Sequence, residues 1–378
     1  MSSSASVYLD HNATSPLRPM ALDAMAEALR AGGNPSSVHR AGRAARARVE
    51  TARQQVAALV GATPAEILFT SGGTEANNLA LTGAGRKRVL VSAVEHDSVL
   101  KAVADTEIIP VDRNGVVDFA AIERLLAKSS ESAPEPVIVS VMFANNETGV
   151  LQSIVEIARL ARVAGALIHC DAVQGAGKAP IDMRALGVDY LSLSAHKLGG
   201  PAGVGALVVR AGAPLLPDRR GGGQESWRRA GTENVSGIVG FGAAAEEAAK
   251  GLDVRSFRDR LESELLKVAP EATIFGADAP RLSNTVCISM PGVAAETQVM
   301  ALDLAGISVS SGSACSSGKV GRSAVLAAMG VEPSVADSAL RISFGWNTES
   351  EDIERLIAAW RDLYIRVGKS DISRARAA

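Results

Sequence analysis

The chain has 378 residues, 47% of them apolar and 21% charged, with a formal net charge of −2. That length suits a large domain with a smaller companion, and the apolar share can fill a sizeable core. The charge balance gives no reason to expect a nucleic-acid or membrane-surface partner, no run reaches the length of a membrane span, and three cysteines are too few for a disulfide framework. The opening MSSSASVYLD lacks the basic-then-apolar build of a signal peptide, so a soluble cytoplasmic protein with reduced thiols is expected.

Strand-like and helix-like segments alternate along most of the chain. ILFT (67–70) precedes a glycine turn and a helical run over 74–81. RVLVSAV (88–94) leads into a polar turn and a short helix. EIIPV (107–111) is followed by DFAAIERLLAK (118–128), whose Phe119, Ile122, Leu125 and Leu126 recur at helical spacing. PVIVSVMFA (136–144) is an unbroken apolar run, the pattern of a strand buried on both faces. A helix over 153–164 follows, with Ser153 as N-cap and Gly165 as its stop. ALIHCDA (166–172), YLSLSA (190–195) and GALVV (205–209) complete a series of βαβ units, which predicts an α/β fold with a mostly parallel sheet and helices on both faces. After GGGQE (221–225) the pattern changes. Long helices over 234–250 and 254–268 lead into NTVCISM (284–290), a helix over 294–305, ISVSS (307–311), LRISF (340–344) and a helix over 349–366, a smaller α+β set. We therefore expect a large domain over 16–250 and a small one made of 1–15 and 251–378.

Ligands of an open parallel sheet bind beyond the carboxyl ends of its strands, so polar residues there carry the chemical expectations. TSGGTEANN (70–78) offers Gly73 and Thr74 at a helix start, where backbone N–H groups make an anion site; a plain strand–helix turn is the alternative. It is not a Walker loop, and the nearest imitation, AVQGAGKAP, has Ala172 and Ala179 at key positions. IHCDAVQ (168–174) ends a strand on Asp171, which suits either a cationic ring nitrogen or a helix N-cap; His169 reads as a structural histidine. In SLSAHKLGG (192–200), Lys197 follows an apolar strand directly, and a desolvated lysine there can form a Schiff base. VEHDSV (94–99) presents His96, MFANNETG (142–149) presents Asn145 and Asn146, RRAGTEN (228–234) follows, and Arg341 in ALRISFG (339–345) has the geometry to clamp a carboxylate. An anion nest, an acid for a ring nitrogen and a Schiff-base lysine together specify pyridoxal 5'-phosphate. SSGSACSSG (310–318) holds Cys315 among residues too small to bury it, unlike Cys170 and Cys287 in apolar strands.

With these residues quoted, the whole chain resembles the cysteine desulfurases that supply sulfur for iron–sulfur clusters, fold-type I pyridoxal-phosphate enzymes of the class-V aminotransferase superfamily. YLDHNAT (8–14), GNPSSVH (33–39), FTSGGTEANNLA (69–80), EHDSVL (95–100), NNETGV (145–150), DAVQ (171–174), SAHK (194–197), RAGTEN (229–234) and SSGSAC (310–315) resemble the family's motifs in order, and SSGSAC resembles the subgroup with the longer cysteine loop. The resemblance implies a seven-stranded sheet in the large domain and the following roles. Lys197 carries the cofactor and shuttles a proton. Asp171 pairs with the pyridine nitrogen, Gln174 bonds the phenolic oxygen, and His96 stacks on the ring and serves as acid or base. Gly73, Thr74, Ser194 and His196 hold the phosphate, and Thr232 reaches it from the other subunit of a homodimer. Asn146 touches cofactor and substrate, Arg341 binds the substrate carboxylate with help from Asn34, and no metal is required. Cys315 attacks the sulfur of L-cysteine and passes a persulfide to an acceptor protein such as an iron–sulfur scaffold. Ser226-Trp227 departs from the family's pattern and puts local interface detail in question. An aminotransferase has no use for Cys315; a selenocysteine lyase needs the same parts. A metal protein built on His96, His169, Asp171 and His196 lacks a compact ligand spacing, and a non-enzymatic sulfur carrier would not need Lys197. The small residues around Cys315 suit a swinging arm.

Overall fold

A computed structural model describes residues 6–128, 136–312 and 322–368. Chain entry is strand β1 (Val7–Tyr8). Helices Pro19–Ala31 and Arg40–Leu59 follow, packed against the later helix Val235–Ala248. The apolar runs then form the main sheet: β2 (Ile67–Thr70), β3 (Arg88–Ser92), β4 (Thr106–Ile109), β5 (Val137–Ser140), β6 (Leu167–Asp171), β7 (Tyr190–Ser194) and β8 (Gly205–Val209). Their spatial order is β2-β8-β7-β6-β5-β3-β4. Every pair is parallel except those of β8, which runs against both β2 and β7. Strands β5 to β8 are buried along their whole length, which is why they read as continuous apolar runs rather than alternating ones.

The remaining strands make two smaller sheets. Strands β9 (Thr285–Ser289), β10 (Ile307–Ser308), β11 (Ser310–Ser311) and β12 (Ala339–Ser343) are arranged as an antiparallel β11-β12-β9 set and a parallel β1-β10 pair. Their core gathers both ends of the chain: Val7 and Leu9 pack with Leu261, Val286, Ile342, Phe344 and Trp360. The described part of the chain contains no helix long and apolar enough to cross a membrane.

Three local expectations differ from what forms. PVIVSVMFA leaves the ladder after Ser140, although residues 141–144 stay buried, because the apolar run reports burial rather than regular pairing. ISVSS splits at Val309 into β10 and β11, which join different sheets. Ser153 does stand at the N-cap of helix Ile154–Val163, but its side chain makes no cap hydrogen bond.

Candidate active site

Strands β2, β3, β5, β6 and β7 all point their carboxyl ends to one edge of the sheet. A cavity of about 190 Å³ opens there, lined by Gly73, Thr74, Asn77, His96, Ser98, Met142, Ala144, Asn146, Asp171, Val173, Gln174, Ser194, His196 and Lys197. Asp171 and Ser194 end β6 and β7, and the other lining residues lie in the segments that follow β2, β3, β5, β6 and β7, beyond the ladder.

The helix Gly73–Gly83 starts in this cavity. Its N-cap, Gly72, makes no side-chain cap bond, so the first-turn N–H groups face the cavity end unclaimed by a cap. A Cβ on Gly73 would lie 2.8 Å from a Val173 methyl, so only glycine keeps this cradle open. Ser71 N and Arg229 hold Glu75 in the same turn, which ties the RAGTEN segment to the cradle. His196 Nδ1 lies 3.2 Å from Thr14 Oγ1, and burial, Lys197 and Lys178 push its ring down to about 4. It is neutral at pH 7 and contributes a hydrogen bond rather than a charge.

At the other end, Asp171 accepts hydrogen bonds from Val173 N (2.9 Å) and Asn77 Nδ2 (2.7 Å). Burial pushes its carboxyl up, against the pull of those donors and of the His96 and Lys197 charges. A desolvated carboxylate of this kind gains from a cationic partner. No α-helix begins at Asp171, so it is not serving as a helix N-cap. His96 caps the short helix Asp97–Leu100: its Nδ1 accepts from Ser98 N at 3.1 Å and lies 2.7 Å from Ser98 Oγ. In the neutral ring the proton then sits on Nε2.

Lys197 Nζ donates to two main-chain carbonyls, Asn12 O (2.6 Å) and Ala13 O (2.8 Å). Asn12, which sequence reasoning quoted in YLDHNAT without giving it a role, joins the surrounding elements. Its carbonyl also accepts from Gln174 Nε2 (2.9 Å), and its Oδ1 from Lys178 Nζ (3.0 Å). Its Nδ2 donates to Asn146 O (3.3 Å) and Thr285 Oγ1 (2.9 Å). Asn77, Ser98 and Lys178 were likewise missed. Asn77 and Ser98 stand at single helical positions with no spacing signal, and Lys178 lay inside the rejected Walker-like string.

Other expected residues lie apart from the cavity wall. Arg341 is buried, with Nη2 on Asp10 Oδ1 (2.8 Å), Nη1 on Asn146 O (3.2 Å), and Nε without a partner among the described residues. Asn34 is exposed and accepts from Ser36 N in a local turn. Thr232 is exposed. Asn145 is spent on its own turn, accepting from Glu147 N and Thr148 N. His169 is fully buried between Ser140 Oγ and Ser192 Oγ and is pushed down to about 3, a structural histidine as its strand position predicts. Cys170 and Cys287 are fully buried, and desolvation raises both thiols. Cys315 lies outside the described residues. The described residues hold no group of three or more His, Cys, Asp or Glu able to bind a metal ion.

The donor set fits pyridoxal phosphate. It has an anion cradle that a Cβ would block, a desolvated carboxylate, and an amine, all lining one cavity. The buried Asn77 Oδ1 beside the carboxylate also has no partner among the described residues. The class-V aminotransferase family model matches residues 7–356. A protein of Cereibacter sphaeroides named cysteine desulfurase is 46% identical over 368 residues, covering 93% of this chain and 94% of its own. Among solved structures, a NifS-like protein from Rickettsia africae superposes with a TM-score of 0.87 at 36% identity, over 95% of this chain and 99% of that one. A structure described as SspA in complex with cysteine gives a TM-score of 0.76 at 28% identity, over 89% and 98%. With fold, site and relatives in agreement, the chain belongs to the class-V aminotransferase family of pyridoxal-phosphate enzymes.

Proposed function

We propose that this protein is a cysteine desulfurase that takes sulfur from L-cysteine, releases L-alanine, and carries the sulfur as a persulfide on Cys315 to an acceptor protein. The observation that carries this reading is the cavity in which Gly73, Asp171 and Lys197 converge, on a chain whose relatives are named for that reaction. Bound pyridoxal phosphate supplies an aldehyde for amines and a ring that withdraws electrons from the substrate Cα.

The chain's own groups do the rest. The Gly73 amide and the Thr74, Ser194 and His196 side chains hold the phosphate. The Asp171 carboxylate keeps a proton on the ring nitrogen. Gln174 would bond the phenolic oxygen, and His96 would stack on the ring and serve as acid or base. Lys197 Nζ holds the cofactor at rest and takes the Cα proton once L-cysteine displaces it. Arg341 receives the substrate carboxylate with its unpartnered Nε, and its bond to Asn146 O ties that contact to the cavity. Asn34 assists from the surface. The Cys315 thiolate then bonds the substrate sulfur as the C–S bond breaks. That bond's electron pair goes to Cβ, which takes a proton, and Lys197 Nζ returns a proton to Cα, so that the product released is alanine.

We read the protein as a homodimer. Trp227 is 75% exposed, and Glu225, Ser226 and Trp227 hold φ values of 46°, 57° and 66° beside an open cleft, a conformation that a second subunit would help to hold. Exposed Thr232 would reach the neighbouring phosphate. We read the second core as the small domain, with the division near residue 250, and the protein as cytoplasmic. The acceptor is an iron–sulfur scaffold or a thiolation carrier.

The test is an absorbance spectrum of the purified protein before and after L-cysteine, with alanine and sulfide measured in the same tube. Lys197→Ala should lose the chromophore, and Cys315→Ser should keep it but form no persulfide. An unchanged spectrum in the first variant, or normal sulfur transfer in the second, refutes the assignment.

A further inference from the structure

Lys178 sits in the turn after β6, and its amine lies between two buried acceptors, Asn12 Oδ1 (3.0 Å) and Gln174 Oε1 (2.7 Å). Neither acceptor is charged. Asn12 is also the residue whose carbonyl grips Lys197 at 2.6 Å, so two lysine amines hang on one asparagine. Gln174 closes the ring by donating to that same carbonyl.

The charged and titratable groups that act on Lys178 are all basic. Lys197 and Arg341 oppose its charge, and His11 and His196 feel it in turn. Asp10 is engaged with Arg341, and Asp171 with Asn77. Burial and these neighbours hold the Lys178 amine well below the ordinary lysine range. Two amines held on one asparagine resist carrying a proton each.

We propose that Lys178 is a positioning residue for Lys197: through Asn12 and Gln174 it fixes the carbonyls that aim the Lys197 amine, and its charge favours the neutral, nucleophilic form of that amine. The inference rests on Lys197 being the amine that carries the cofactor.

The experiment is competitive acetylation of the full chain freed of cofactor, with Lys197 modification read by mass spectrometry across a pH series. In Lys178→Met the midpoint for Lys197 labelling should rise by about one pH unit, the scale on which close amines couple. In Lys178→Arg, which keeps a permanent cation, it should stay at or below the wild-type midpoint. An unchanged midpoint in Lys178→Met overturns the proposal. If that variant does not fold, Lys178→Arg decides alone: a midpoint above wild type overturns the proposal, and one at or below it supports it. Failure here is distinct from failure of the functional reading, which shows as a chromophore surviving Lys197→Ala, whereas the labelling curve is read without cofactor.

Discussion

Glu147 is a carboxyl where the fold leaves almost no water. It is 6% exposed and accepts from Ser323 Oγ; a Cβ on Gly312 would lie 3.7 Å from its Oε2. Gly312 and Ser323 stand on either side of the 313–321 segment in sequence. Burial raises the carboxyl from its ordinary 4.5 to about 7, against the pull of Ser323 and Arg341. The raised value means that the folded state disfavours the ionised form. Below about pH 4.5 the group is neutral folded and unfolded, and costs nothing. As pH climbs towards 7 the unfolded chain ionises first, and stability falls by up to ~3 kcal/mol. Above pH 7 the full cost is present. Glu147→Gln keeps an acceptor for Ser323 and removes the ionisation. The variant should therefore match wild type near pH 4.5 and exceed it by up to ~3 kcal/mol at pH 8. The assay is the apparent melting temperature of both proteins at both pH values, with protein and cofactor concentrations held fixed because bound cofactor and oligomer state shift it. An equal difference at the two pH values would refute the reasoning, since a neutral substitution would then be acting through packing alone.

Two further outcomes follow from close contacts. Glu225 pairs with Arg53 through two bonds of 2.8 Å and accepts from Phe69 N, so Glu225→Ala leaves the half-buried guanidinium only Glu50 and the Ile67 carbonyl and should cost ~1.5–3 kcal/mol, read by denaturant unfolding. A loss within about 0.5 kcal/mol, the range of ordinary surface changes, would show the pair to be incidental. Gly73→Ala drives a methyl against Val173 and should weaken cofactor binding at least ~10-fold, equivalent to about 1.4 kcal/mol, in a titration of cofactor-free protein. Unchanged affinity would remove the helix start from the phosphate site.

The main sheet was legible where its strands are covered on both faces, as VIVS, LIHCD and GALVV are, because such runs announce burial. Helix Arg40–Leu59 was not read, although it packs on the core. Its buried stripe is built from Gly42, Ala45, Val49, Ala52 and Val56 among five arginines, and so small a face gives a weak periodic signal. The cavity residues were legible for a topological reason: polar side chains one step beyond apolar strands all fall on the same sheet edge. Arg341, Asn34 and Thr232 do not line it: Arg341 is held by Asp10 and Asn146, Asn34 by a local turn, and Thr232 stands exposed, none of which spacing records. The near-Walker string AVQGAGKAP was set aside as a phosphate loop. Its lysine still mattered, because the turn that breaks the Walker pattern carries Lys178 back towards Asn12.

Asn12 also explains why the two cores are not independent of the chemistry. Its main-chain N–H donates to Ser343 Oγ on β12, and its amide donates to Thr285 Oγ1 on β9. Three residues earlier, Leu9 is buried in the second core. The carbonyls that grip Lys197 are therefore supplied by a segment anchored to the smaller sheets, while Lys197 itself follows a strand of the main sheet. Gly345 keeps this junction tight, since a Cβ there would overlap the His11 ring. A lysine on a flexible four-carbon stem loses rotamer freedom when it is aimed. Holding it from a second core places that entropy cost in the folded chain before any ligand arrives, which is the form preorganisation takes at this site.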